Sequence, residues 1–201
     1  LHDRYGVEAA TNEEATRVAD VVVLVVKPQD IFAVADAISA ELKPDALVVS
    51  LAAGVTTASL EARLPAGTPV VRVMPNTPAL VAQGMSAVSP GAHCDAEHVA
   101  MAVRLMTCVG KVVEVPETQQ DAVTAISGSG PAYIFYTVEA MIEAGVGLGL
   151  PRRLATELTL QTVYGAATML RETGEHPVVL RENVTSPAGT TAAALRILED
   201  H

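Results

Sequence analysis

The chain has 201 residues, half of them apolar, with a formal net charge of −10, no Trp, two Phe and four Tyr. Acids spread along the chain without a Lys/Arg cluster, together with so few stacking rings, exclude a nucleic-acid partner. No apolar run is long enough to span a bilayer, so no membrane segment is expected, and the length holds one large or two small domains with real cores.

The chain opens in what reads as the last turn of a helix closed by Gly6, so a preceding segment, with any targeting signal, is expected to be missing. From residue 7 to about 115, short Val/Ala/Leu-rich runs alternate with helix-like stretches. Strands are expected over residues 7–10, 21–26, 47–51, 70–73, 85–89 and 111–115. Between the second and third, Ile31, Val34, Ala35, Ile38 and Leu42 recur at helical spacing until Lys43-Pro44 stops them. Further helices are expected over residues 59–64 and 95–106. This is the α/β pattern of a parallel sheet covered on both faces. Cys94 and Cys108 are too few for a disulfide framework and read as the free thiols of a cytosolic enzyme.

In such sheets ligands lie beyond the carboxyl ends of the strands. The residues there are Lys27-Pro28, Ala52-Ala53-Gly54 and the run from Met74 to Pro78, all short and rich in Gly, Pro or small side chains. Lys27 can meet a phosphate or ribose, and Asn76 offers both a donor and an acceptor to a carboxamide. Each alone is ordinary turn chemistry; three at one edge favour a nucleotide.

After Pro116 the strand pattern ends, which places a domain boundary near Glu117. Helices are expected over residues 118–126, 131–144, 151–170 and 190–199, with Pro131 and Pro151 at first turns where a missing amide costs nothing. In the longest, Leu154, Leu158, Leu160, Val163, Tyr164, Ala167, Met169 and Leu170 occupy more than one face. A helix apolar on most sides must be buried, and so thin a helical domain implies burial against a second chain, an obligate dimer.

Gly145-Val146-Gly147-Leu148-Gly149 follows a helix and leads into Pro151, so it is a helix stop and not a dinucleotide loop. His93, Cys94, Asp95, Glu97 and His98 have a metal-like composition, but the two histidines point apart on a helix, and no metal site is expected. His176-Pro177 reads as a turn before a short helix. SGSGPAY at residues 127–133 breaks two helices with paired glycines, either as a packing kink or to bring backbone near a bound ligand. VTSPAGTT at residues 184–191 combines a proline-limited turn, a glycine, hydroxyls and a helix start. Taken alone it is a Ser/Thr cap; its free amides and the positive end of the helix dipole also suit a carboxylate.

SLAAG at residues 50–54, SGSGPAY and VTSPAGTT, in this order and spacing, resemble pyrroline-5-carboxylate reductase. VVKP at residues 25–28 and MPNTP at residues 74–78 extend the likeness over essentially the whole chain. The resemblance implies a Rossmann-type domain, residues 1–116, followed by an all-helical substrate and dimerisation domain, residues 117–201, in intertwined homodimers often assembled further into rings. The implied reaction is reduction of 1-pyrroline-5-carboxylate to L-proline, the last step of proline biosynthesis, with NADPH or NADH. Relatives begin with a strand and a glycine-rich loop not found before Leu1 and continue past His201 in a final helix, so a protein limited to these residues is expected to bind cofactor poorly. Ala188 stands where many relatives have a glycine.

By the same resemblance, Thr191 is the hydroxyl nearest the ring nitrogen, Ser186 with the amides of Gly189 and Thr190 holds the substrate carboxylate, and Thr124 is a further candidate for orienting Thr191. On the cofactor side it places Asn12 by the adenosine, Lys27, Ala52 and Ala53 along the ribose and pyrophosphate, flanked by Val26 and Pro28, Asn76 and Pro78 near the nicotinamide, and Asn183 close by. Two other readings stay open. Another dehydrogenase of this architecture would need a Lys or His near the reacting carbon, and the helical half holds no Lys. A non-catalytic dinucleotide sensor would have no evident use for the hydroxyl-rich turns.

Overall fold

In the computed structural model, which describes residues 2–200, two short helices, α1 (His2–Tyr5) and α2 (Asn12–Val18), precede a five-stranded sheet. α2 starts at a capping box, Glu14 N donating to Thr11 Oγ1 at 3.2 Å and Thr11 N to Glu14 Oε2 at 3.0 Å. Residues 7–10, expected as a strand, form none. They are exposed and run straight into that cap. With one β-branched residue among Glu and Ala, the segment has little to gain from a pleated surface.

The sheet has the order β1 (Val21–Leu24), β2 (Leu47–Ser50), β3 (Val70–Met74), β4 (Gly84–Pro90), β5 (Gly110–Glu114). The first three strands are parallel, Val22 opposite Val48 and Val49 opposite Val71, joined through α3 (Ile31–Ile38) and α4 (Thr57–Glu61). β4, expected as one more parallel strand, is antiparallel to β3, with Val73 opposite Val88. A parallel return needs a crossover of a dozen or more residues, usually a helix. The connection here is a single 3₁₀ turn, Thr77–Val81, closed by Ala82 at φ 56°. β5 is again parallel to β4, reached through α5 (Ala96–Thr107).

Alternation along the strands builds two cores. Val48 and Val70 pack with Leu24, Ile31, Ala35, Ile38 and Leu60 on one face; Leu47, Val49, Val71, Val73 and Val88 pack with Ala102 and Met106 on the other. Asp95 caps α5, its Oδ1 accepting from Glu97 N at 2.9 Å and His98 N at 3.0 Å, which is the work of the His/Asp/Glu cluster in this region.

Past β5 the backbone turns through a 3₁₀ turn (Glu117–Gln119) into α6 (Gln120–Val123), a π turn (Thr124–Gly128) and α7 (Gly130–Gly147). SGSGPAY therefore begins in a widened turn, Ser129 N donating to Thr124 O at 2.8 Å, five residues back, and breaks the helix at the Ser129 bend before α7 restarts at Gly130. The remaining helices are α8 (Arg152–Thr173), α9 (Pro177–Asn183) and α10 (Thr190–Glu199). The chain forms two compact units, one extending through Tyr133 and one beginning at Ile134. In the second, α7 meets α8 closely at Gly145, where a Cβ would lie 3.0 Å from Ala155 Cβ. Leu150 N donates to Gly145 O at 3.1 Å, so the glycine run that ends α7 is a helix stop. No helix among the described residues is long and apolar enough to cross a membrane.

Candidate functional site

Three turns leave the carboxyl ends of the parallel strands. After β1 come Val26, half-buried, and Lys27 and Pro28, both exposed; among the described residues no acid pairs with Lys27. After β2 the chain passes through buried Ala52 and exposed Ala53 to Gly54, whose φ of 73° closes the turn with open space around its Cα. After β3 come half-buried Asn76 and Pro78. An unpaired cation beside turns without bulky side chains is a donor set that fits a phosphate-bearing ligand lying along the strand ends. Asn12 is exposed at the first turn of α2.

Behind these turns lies a polar seat that sequence reasoning missed. Arg72 on β3 is 4% exposed; its Nη1 donates to Glu117 Oε1 at 3.4 Å, while its buried Nη2 has Asp121 Oδ1 only as a charge neighbour at 3.8 Å. The Glu117 carboxylate also accepts from Thr57 N at 2.8 Å and Thr57 Oγ1 at 2.9 Å. Fully buried Gln120 donates through Nε2 to Ser89 Oγ at 2.8 Å and Ala87 O at 3.3 Å, leaving its Oε1 without a hydrogen bond. These bonds fasten residues 117–123 to the sheet. The signal was available: Arg72 and Ser89 interrupt runs of valine and alanine, and a charge inside such a run must find a partner.

On that base stands the π turn. Thr124 donates its own proton to Gln120 O at 2.8 Å, so its hydroxyl is left as an acceptor. Asn76 reaches the turn from the sheet, Nδ2 lying 3.2 Å from Ser127 O and 3.4 Å from Ser127 Oγ, while its Oδ1 accepts from Met85 N at 2.8 Å. Gly128 lies close against Met74, where a Cβ would lie 2.5 Å from the flexible Met74 Cε.

In the second unit the segment from Asn183, which is exposed, to Thr191 forms the mouth of α10. Gly189 is the residue before the helix, and no side chain caps it. Gly189 N turns back to Ser186 O at 3.1 Å, and the amides of Thr190, Thr191 and Ala192 open the helix without an intrahelical acceptor. Ser186 Oγ sits over this mouth: a Cβ on Gly189 would lie 2.5 Å from it. Ser186 and Thr190 are exposed and Thr191 is half-buried. The turn holds Ala188 at φ 58°, a left-handed conformation that costs an L-residue roughly 1 kcal/mol. Free amides, the neighbouring Ser186 hydroxyl and the positive helix end form a donor set that suits a small anion.

Of the two thiols, half-buried Cys94 donates to Val70 O at 3.2 Å, and burial raises its pKa, which keeps it protonated and unreactive.

Against known proteins, residues 117–201 match the family model described as pyrroline-5-carboxylate reductase dimerisation, and residues 1–54 match that of the NADP oxidoreductases dependent on coenzyme F420. The chain is similar to the pyrroline-5-carboxylate reductase of Corynebacterium melassecola, 52% identical over 204 residues, covering the whole of this chain and 76% of that protein. Among solved structures it is similar to a pyrroline-5-carboxylate reductase from Coxiella burnetii, with a TM-score of 0.89 and 42% identity over 99% of this chain and 75% of that one. It is also similar to the Plasmodium falciparum pyrroline carboxylate reductase solved with NADP bound, with a TM-score of 0.90 and 34% identity over 96% of this chain and 73% of that one.

Proposed function

This chain belongs to the pyrroline-5-carboxylate reductase family, and from that premise we infer that it reduces 1-pyrroline-5-carboxylate to L-proline, the last step of proline biosynthesis. NADPH or NADH, when bound, supplies the hydride. The observation that carries the substrate side is the uncapped mouth of α10 beneath the Ser186 hydroxyl.

In this reading Ser186 donates to the substrate carboxylate, the Thr190 amide binds it at the positive end of the helix, and Gly189 keeps the space open. Thr191 donates its hydroxyl proton to the ring nitrogen and so orients the C=N bond and makes its carbon more electrophilic. Thr124, its proton held by Gln120 O at 2.8 Å, acts as an acceptor. Lys27 meets a phosphate, with Val26, Pro28, Ala52, Ala53 and exposed Asn12 forming the surface along the nucleotide. Pro78 and Asn183 complete the cofactor set, and Asn76 shapes it. The half of the chain expected to dimerise, residues 117–201, makes a homodimer, and the dimers assemble further into a ring. We place the enzyme in the cytoplasm.

The test is the decay of reduced-cofactor absorbance with pyrroline carboxylate as substrate. Thr191→Ala is expected to lower turnover about 10²-fold, as for one preorganised donor in a dry site, and Thr191→Ser to lower it less. A Thr191→Ala variant with near-parental rates would overturn the role.

A further inference from the structure

We propose that Asn76 is a positioning residue: its carboxamide locks the π turn that carries Ser127 to the return between β3 and β4, and it is not itself a ligand of the nicotinamide. The inference rests on the functional reading only in assigning the π turn to the wall of the cofactor site. The lock itself is visible in the hydrogen bonds.

A side-chain amide has two donors and one acceptor oxygen. In Asn76 both ends are engaged, Nδ2 by Ser127 O at 3.2 Å and Oδ1 by Met85 N at 2.8 Å. The orientation is not interchangeable, because Ser127 O can only accept and Met85 N can only donate. One side chain thus fastens two segments, 51 and 9 residues away in the sequence, to the end of β3. The other end of the same turn is held by Gln120, whose Nε2 bonds Ser89 and Ala87 on β4 and whose carbonyl receives the Thr124 hydroxyl. A π turn is an uncommon, locally widened helix that needs support from outside its own backbone. Here the support comes from both ends, with Met74 packed against Gly128. Asn76 therefore acts through Ser127, setting where the backbone of SGSGPAY stands before any ligand arrives.

The experiment is hydrogen–deuterium exchange on the ligand-free full-length protein, read as protection of the amides at residues 124–130, alongside steady-state kinetics. Asn76→Ala is expected to lower that protection about 10-fold while β2 and β3 keep theirs, and to lower kcat on the order of 10-fold with KM for both ligands little changed, because a displaced wall misplaces reactants without unbinding them. Asn76→Asp supplies the discriminating readout. Its carboxylate still accepts from Met85 N but has no proton for Ser127 O. On acidification the carboxyl donates again, so protection and kcat recover toward parental values, a recovery absent from Asn76→Ala. Ser127→Ala, which removes only the 3.4 Å contact, should leave protection within about twofold. Unchanged protection in Asn76→Ala, or an Asn76→Asp variant whose protection and kcat stay at the Asn76→Ala level at every pH, overturns the proposal. If the parental full-length protein reduces no substrate while the exchange contrast holds, the functional reading fails and the lock stands. If reduction proceeds and the contrast is absent, the lock fails alone.

Discussion

The two units spend their apolar residues differently. In the sheet unit, Val48, Val49, Val70, Val71 and Val88 are fully excluded from water, each face of the sheet closing on its own helices. In the helical unit no residue of α7 is buried and α8 buries only Ala155 and Thr159, while Phe135, Tyr136, Leu160 and Tyr164 stand more than half exposed. Large contiguous apolar surface of that kind marks a surface that another chain covers. The sheet unit is thus held together by its own sequence, and the helical unit by a second copy of it.

Four experiments break or sharpen that contrast. The largest effect is expected from Leu160→Glu combined with Tyr164→Glu: a charge on the exposed apolar face should reduce the sedimenting mass to that of a monomer, and the melting temperature should lose the concentration dependence of an obligate oligomer. Next comes the interior of the sheet unit. Gln120→Leu leaves Ala87 O and Ser89 Oγ without their buried donor, for a loss of about 1–3 kcal/mol in denaturant unfolding, independent of protein concentration. Smaller and opposite in sign, Ala188→Gly relieves the left-handed strain at φ 58° and should stabilise the helical unit by about 0.5 kcal/mol, read as a rise in melting temperature. The smallest concerns the pair across α7 and α8, where the hydrogen bond from Arg152 holds the Glu143 carboxyl below the ordinary glutamate range. A depressed folded pKa gives stability that is present above the unfolded value and lost as pH falls through the folded one. The difference in melting temperature between the parental chain and Glu143→Gln should therefore be slight at neutral pH and vanish in acid, since the pair is exposed.

Much of this was legible in the residues. The short apolar runs marked all five strands of the sheet, most plainly β2 and β3, which are buried at nearly every position. The helix start at Asp95, the stop at Gly145 to Gly149 and the helix opening at Thr190 were equally plain, each being a local event decided by a few neighbours. What escaped was decided at a distance. The direction of β4 depends on the connection being too short for a crossover, and the run at residues 7–10 resembled a strand only until pairing was asked of it. Arg72, Glu117 and Gln120 are far apart in sequence, and nothing local says that they meet. The break at Ser129 was plain from the glycines, but the π widening before it was not, because the bonds that sustain it come from Asn76 and Gln120.

The open mouth of α10 has a consequence for how far this enzyme could be improved. A helix whose first amides lack a side-chain partner is an unfinished one, and the substrate's acid group would finish it. Saturating proline should then shield the segment from heat and proteases as a built-in cap would, by about 2.7 kcal/mol at a hundredfold excess over its dissociation constant. Any residue that satisfied those amides permanently would make a hardier protein and a competitor for its own substrate.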